Sequence, residues 1–286
     1  ILNAANAVIS NNIGRKSKSL WTDNGEGEKV NYTLYENGYD EAEGVASGIA
    51  EYVRDGWNYN DVAILYRTNA QSRALEEKLM IHNIPYKIYG GQNFYQRKEI
   101  KDILAYLKTI DNGLDGQAVK RIINVPKRGI GNTTIDRLQE YADFNDITFW
   151  EALVNAKDID TIKNAALSKL EPFVDLIGRL RAKEEFMSLK ELAEAVIEDT
   201  GYIESLSQNE TVEEVEARRE NLDEFINKVV SYEESCKEAG EEPTLSGLLE
   251  EVALIADIDN LDESEPHVML MTLHSAKGLE FPIVYM

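Results

Sequence analysis

The sequence predicts an α/β protein in which a parallel-sheet domain is interrupted by a mostly α-helical inserted domain. Three observations carry that prediction. Short apolar runs alternate with helical periodicities over residues 1–97, strand character is absent from residues 98–265, and it returns at Val268–Leu273. Strands separated by helices of ordinary length imply parallel pairing through crossover helices. At 286 residues the chain exceeds the usual size of one domain, so two folding units are expected.

The elements follow in order. Ile1, Leu2, Ala5, Val8 and Ile9 recur at helical spacing with no capping residue before them, which leads to the expectation that the chain starts inside a longer protein. Val30–Leu34 alternates like a strand, and Val45, Ile49, Tyr52 and Val53 then describe a helix that ends at Gly56. Asp61–Tyr66 is a continuous apolar run, the form of a strand buried on both faces. Leu75, Leu79 and Met80 make the next helix, stopped before Ile84-Pro85, and Tyr86–Tyr89 is a third strand. Beyond Gly90-Gly91 nearly every segment from Lys98 to about Leu261 reads as helix. Its apolar stripes include Ile100, Ile103, Leu104, Leu107 and Ile110, then Leu189, Leu192, Val196 and Ile197, then Leu222, Phe225, Ile226 and Val229. Strands resume at Val268–Leu273 and at Ile283–Met286, so the expected boundaries are 1–97, 98–265 and 266–286.

Composition narrows the classes. The formal charge of −22 excludes a protein that coats nucleic acid by bulk attraction, so any nucleic-acid site must be local. Acidic residues crowd the stretch from Glu184 to Glu265, as solvated helix faces or as a surface for a basic partner. No run approaches the roughly 20 apolar residues that span a membrane, and the opening residues show no basic leader followed by a short apolar core, so export is not expected. A single cysteine, Cys236, fits a reducing cytoplasm.

Three segments carry chemistry. Thr272-Leu273-His274-Ser275-Ala276-Lys277-Gly278-Leu279-Glu280-Phe281 lies directly after a predicted buried strand, at the edge where open α/β sheets bind ligands. Lys277 beside Gly278 puts a point charge where backbone can approach a phosphate, and Glu280 can accept a ribose hydroxyl. Taken alone, His274 reads more readily as a structural hydrogen-bonder than as a ligand, and Lys277 as a solvated surface charge. The second segment, Tyr66–Arg73, gathers Arg67, Asn69 and two hydroxyls at the same edge, suited to phosphate and sugar contacts. Its plain reading is a helix start capped by Asn69 or Ser72, with Glu76 and Glu77 complementing the dipole. The third, Val125–Ile135, is a glycine hairpin between helices. With Gly129 and Gly131 at positive φ, its amides together with Lys127 and Arg128 could hold a DNA phosphate, while Asn132 or Thr133 caps the next helix; a purely structural turn is the other reading. No G-x-x-x-x-G-K-[ST] occurs, because no glycine precedes a lysine.

These segments resemble a known family. TLHSAKGLEF is similar to motif V of superfamily 1 DNA helicases of the UvrD, Rep and PcrA family, AILYRTNAQSR to their segment IVa, and YGGQNFYQRKEIKDILAYL to the junction into their 2B domain. The order and spacing fit the whole chain, and within the family the chain looks most like the PcrA branch. The resemblance implies a RecA-like domain 2A, the P-loop NTPase-like fold without its P-loop, interrupted by a helical domain 2B. It implies that Arg67, Asn69, Thr272, His274 and Lys277 touch single-stranded DNA, that Gly278 and Glu280 lie at the nucleotide, and that Lys127, Arg128, Gly129, Gly131 and Thr133 face duplex DNA. ATP and Mg²⁺ are then expected in the intact protein, with no catalytic residue or metal ligand supplied by this chain. The implied partners are single-stranded and duplex DNA, ATP, the N-terminal RecA-like domain of the same protein and repair or transcription proteins, in a bacterial cytoplasm at the nucleoid. The rival is a non-catalytic DNA- or protein-binding regulatory module that retains the fold.

Overall fold

Four parallel strands make one sheet in the order β2-β3-β1-β4, with β1 at Val62–Tyr66, β2 at Tyr86–Ile88, β3 at Val268–Thr272 and β4 at Ile283–Tyr285. The computed structural model describes residues 1–12, 20–208, 210–257 and 266–286. Its α-helices are α1 (Leu2–Ile9), α2 (Gly38–Arg54), α3 (Ser72–Ile81), α4 (Lys98–Asp111), α5 (Gly116–Ile122), α6 (Asn132–Asn145), α7 (Phe149–Val154), α8 (Asn164–Glu184), α9 (Leu189–Asp199), α10 (Tyr202–Leu206), α11 (Val212–Ala239) and α12 (Leu245–Asp257). The expected boundary at residue 265, and the end of the helical stretch near Leu261, lie outside the described residues.

Two compact units divide the chain, Ile1–Glu41 and Ala42–Met286. In the first, Asn6 of α1 holds the backbone of Leu20 through both its carbonyl and amide, each at 3.1 Å. The expected strand at Val30–Leu34 does not form: Val30, Tyr32 and Leu34 are all exposed and the segment has no ladder. Alternation marks a face that could be buried, but a strand also needs a neighbour's N–H and C=O groups, and none pairs with it among the described residues.

The second unit holds two cores. Around the sheet, Val45, Ala46 and Ile49 of α2 and Leu79 and Met80 of α3 pack against Val62, Ile64, Val268 and Leu270. The DVAILY run is apolar throughout because both of its faces are covered, and Val62 and Ala63 are fully buried. The second core belongs to the helices that the chain passes through between β2 and β3. At its centre α4 packs against α5, α8, α9, α11 and α12, burying the predicted stripe of Ile100, Ile103, Leu107 and Ile110.

Where the sheet's helix α3 meets α11, the contact is ionic. Arg73, only 2% exposed, donates from Nη1 to Glu77 at 2.9 Å and from Nε to Glu224 of α11 at 2.7 Å. Lys228 of α11 reaches Glu77 at 3.5 Å, and the Tyr95 hydroxyl donates to that carboxylate at 2.6 Å. Beside it Arg97 donates to Ser72 Oγ and to Asn221 of α11, each at 2.8 Å, while Glu76 accepts from the Phe94 amide at 3.0 Å. Burial pushes the Arg97 guanidinium below its ordinary range, opposed by the nearby Glu76 carboxylate.

Removing one member of such a network strands the others as uncompensated buried charges. Arg73→Met is therefore expected to cost about 3–5 kcal/mol of unfolding free energy in a urea titration. Arg54→Met, in an ion pair exposed on both sides, should leave the midpoint unmoved.

Candidate nucleic-acid interface

Because β1, β2 and β3 are parallel neighbours, their carboxyl ends open onto one edge, and the loops that follow them meet there. The Leu273 amide donates to the Tyr66 carbonyl at 2.9 Å and the Tyr89 amide to the Leu270 carbonyl at 2.8 Å, so the ladder continues into the loops. After β1, the Gln71 side-chain carbonyl accepts from the amides of Arg67 at 2.9 Å and Thr68 at 3.1 Å. That anchor leaves the side chains of Arg67 and Asn69 exposed. The cap is Thr68 with Gln71, not Asn69 or Ser72, and Glu76 and Glu77 are buried partners of the ionic network and no longer free to complement a dipole. The signal for this was present in the Thr-x-x-Gln spacing of a capping box.

After β3, the Thr272 hydroxyl lies 3.0 Å from Ser275 Oγ and accepts from the Ser275 amide at 3.2 Å, while the Ala276 amide donates to the Thr272 carbonyl at 3.1 Å. This tight turn leaves His274, Lys277 and Gly278 exposed, and Glu280, just beyond it, is exposed as well. Gly278 has φ +87°, and a Cβ on it would meet nothing within 4 Å, so its backbone is open to a ligand. After β2, Gly90 turns at φ +73°, and a Cβ there would sit 3.6 Å from Ser275 Oγ; one on Gly91 would sit 3.9 Å from Asn69 Oδ1. Gly90 and Gly91 thus seat the third loop against the other two. The structure brings Arg67, Asn69, Thr272, His274 and Lys277 to a single sheet edge, with Gly278 at the end of the same turn; Glu280 lies beyond that turn, on the stretch that returns to the start of β4 at Ile283, opposite Val62. Two cations, an amide and an imidazole around open backbone suit the binding of a phosphodiester or nucleotide. Among the described residues no cluster of three or more His, Cys, Asp or Glu side chains could hold a metal ion.

The hairpin lies apart from this edge in sequence, between α5 and α6, and its two adjacent cations have different fates. Lys127 is exposed. Arg128 turns inward: its guanidinium donates to the carbonyls of Ile122 at 2.9 Å and Ile123 at 3.3 Å and to the Tyr106 hydroxyl at 2.6 Å, and lies 5.0 Å over the Phe173 ring. It closes the end of α5. Gly129 has the expected positive φ of +73°, but Gly131, at φ −90°, is extended and serves as the N-cap of α6 in place of Asn132 or Thr133. Asn124 Oδ1 accepts from the amides of Arg128 at 2.7 Å and Ile130 at 3.3 Å, leaving those of Asn132 and Thr133 at the start of α6 for an outside acceptor. Asn124 went unnoticed in the sequence, where nothing marks a side chain that will fold back four and six residues on.

The model of the UvrD-like helicase C-terminal domain family matches residues 1–286. The chain belongs to that family. This UvrD-like helicase C-terminal domain is 48% identical over 285 residues to the ATP-dependent DNA helicase PcrA of Staphylococcus aureus and 46% identical over 285 residues to that of Staphylococcus epidermidis. Each alignment covers 100% of this chain and 38% of the relative, so the chain spans well under half of the relatives' length. The resemblance to the UvrD and PcrA type expected from the motifs is therefore shown. No helix among the described residues is long and apolar enough to cross a membrane.

The different settings of the hairpin cations yield a direct expectation. Arg128→Ala removes three hydrogen bonds and a ring contact and should destabilise the UvrD-like domain by about 2 kcal/mol or more, whereas Lys127→Ala should leave its melting temperature within error. Differential scanning calorimetry of the two variants checks this, and equal losses would overturn it.

Proposed function

We propose that this chain is the second, DNA-handling half of an ATP-dependent DNA helicase motor: a RecA-like domain 2A, residues 1–97 and 266–286, interrupted by a helical domain 2B, residues 98–265. The observation that carries this reading is the parallel pairing of β1 with β3, in the register Tyr66↔Thr272, which joins the Arg67–Asn69 loop to the Thr272–Glu280 loop. On this reading Arg67 and Lys277 neutralise phosphates of a single strand, and Asn69, Thr272 and His274 hydrogen-bond along it.

ATP would lie between this domain and an N-terminal RecA-like domain, held here from its sugar side. The residues fit that partial role. The open backbone of Gly278 admits close approach, and the exposed Glu280 carboxylate can accept from a ribose hydroxyl, while the sequence has no glycine-rich phosphate cradle. Hydrolysis of bound ATP, with Mg²⁺, would supply the free energy of stepping in the 3′ to 5′ direction. This chain's contribution is mechanical coupling. His274 and Lys277 share one short turn with Gly278, and Glu280 follows it two residues on, so a shift at the nucleotide edge would move the strand contacts with it. In 2B, Lys127, Gly129, Gly131 and Thr133 form the duplex-facing hairpin, with Arg128 supporting it from beneath.

Two measurements on the chain test the proposal. Arg67→Ala and Lys277→Ala should each flatten the salt dependence of single-strand affinity by about 0.7 in logarithmic slope, at unchanged melting temperature. The chain alone should show no ATP turnover with single-stranded DNA, since phosphoryl transfer needs a phosphate cradle. Unchanged slopes would favour a protein-binding module, and DNA-stimulated turnover would contradict the proposed division of labour.

A further inference from the structure

A turn that is to meet a phosphate has an electrostatic problem, because its outward carbonyls repel the same anion that its amides attract. In the hairpin between α5 and α6 that carbonyl belongs to Gly129, and a cation from a distant helix covers it. Lys169 of α8 donates from Nζ to the Gly129 carbonyl oxygen at 2.9 Å, across 40 positions of sequence. The contact is close on the glycine side too, since a Cβ on Gly129 would stand 3.4 Å from that ammonium. A Cβ at Gly129 would rest in ordinary contact with Lys169, and the φ of +73° would strain any side chain there.

An ammonium has three donors, and only one is used here. Lys169 is exposed and has no carboxylate partner among the described residues, and the same holds for Lys127. In the same region Lys98, Lys108, Arg121, Lys183, Arg218 and Lys228 are each ion-paired, whereas Lys157, Lys163 and Arg179 are, like Lys169, exposed with no ion pair among the described residues; what marks Lys169 is its bond to the hairpin's own carbonyl. In a chain of net charge −22, an exposed cation fastened over a turn and left without a counter-ion is set up for an anion from outside. The adjacent uncapped amides of Asn132 and Thr133 face the same class of acceptor.

We infer that Lys169 is part of the duplex grip: it fixes the Gly129 turn, cancels the turn's outward dipole and presents a second charge, beside Lys127, to a DNA backbone phosphate. This rests on the reading of the hairpin as duplex-facing and adds to it a residue from a different helix.

The test is the affinity of the chain for a blunt duplex across a salt series, with melting temperature measured in parallel. Lys169→Gln keeps a donor for the carbonyl and removes the charge. It should flatten the logarithmic salt slope by about 0.9, so that a fourfold rise in salt costs about threefold less affinity than in the parent. Melting should be unchanged, and Lys169→Arg should restore the slope. Lys127→Ala, run alongside, separates the two levels of the argument. A reduced slope for Lys127→Ala with an unchanged slope for Lys169→Gln would overturn the assignment of Lys169 alone. Unchanged slopes in both, or no duplex binding by the parent chain, would remove the duplex-facing hairpin and Lys169 with it. A loss in Lys169→Gln that Arg does not restore, accompanied by lower melting, would make Lys169 a purely structural brace.

Discussion

The ionic joint between α3 and α11 is the constraint on which the rest of the second unit depends. Arg73, Glu76, Glu77, Arg97, Glu99 and Lys228 are all buried, a concentration of charge that an interior tolerates only when every member is partnered. Apolar packing is forgiving of small slips between helices, whereas a guanidinium shared by Glu77 and Glu224 accepts one geometry. The joint therefore fixes register as well as holding the elements together. Tyr66 shows its reach: the phenol at the end of β1 is buried beside Ser72, Glu76 and Arg97, and burial, with the Glu76 carboxylate nearby, pushes its pKa up to about 12.

That rigidity bears directly on the sheet edge. Ser72 and Arg73 begin α3 immediately after the loop that exposes Arg67 and Asn69, and Gln71 ties the loop's own amides. The side chains of Arg67 and Asn69 are thus presented from a loop clamped at both ends, by β1 on one side and by the ionic joint on the other. The hairpin follows the same principle with different parts: Asn124 beneath, Arg128 stacked on Phe173, and Lys169 from the flank. In both places polar loop sequence is held by side-chain hydrogen bonds to its own backbone.

How much of this was legible in the sequence depended on whether the deciding partner was local. The strands at residues 62 and 268 announced themselves because burial on both faces leaves no polar positions, and the stripe of α4 because one helix face carries its own record. The loop motifs after β1 and β3 could be placed at one edge since parallel strands share their direction. Glu76 and Glu77, in contrast, read as complements to a helix dipole and nothing marked Arg73 or Arg97 as buried; Arg73 finds its partner Glu224 on α11, about 150 positions away. Lys127 and Arg128 were indistinguishable as neighbours, and only Tyr106 and Phe173 decide that one is a free charge and the other a brace. Val30–Leu34 carried the right alternation with no ladder to join.

The strand order has a consequence for how the chain is made. β3 lies between β2 and β1, so Ala63 pairs with Met269 and Tyr86 with Val268. On the ribosome, β1 and β2 emerge early and cannot complete the sheet until the strand that separates them arrives, after all of α4 to α12 has been synthesised. Through that interval two apolar strands present unpaired edges of the kind that recruit other chains. The helices between must fold first and draw the ends of their long excursion together, which turns an expensive loop closure into a docking step. The helical region is therefore a folding device for the sheet as well as a platform for its hairpin, and a lesion that slows it would be felt as aggregation of the strands it was meant to reunite.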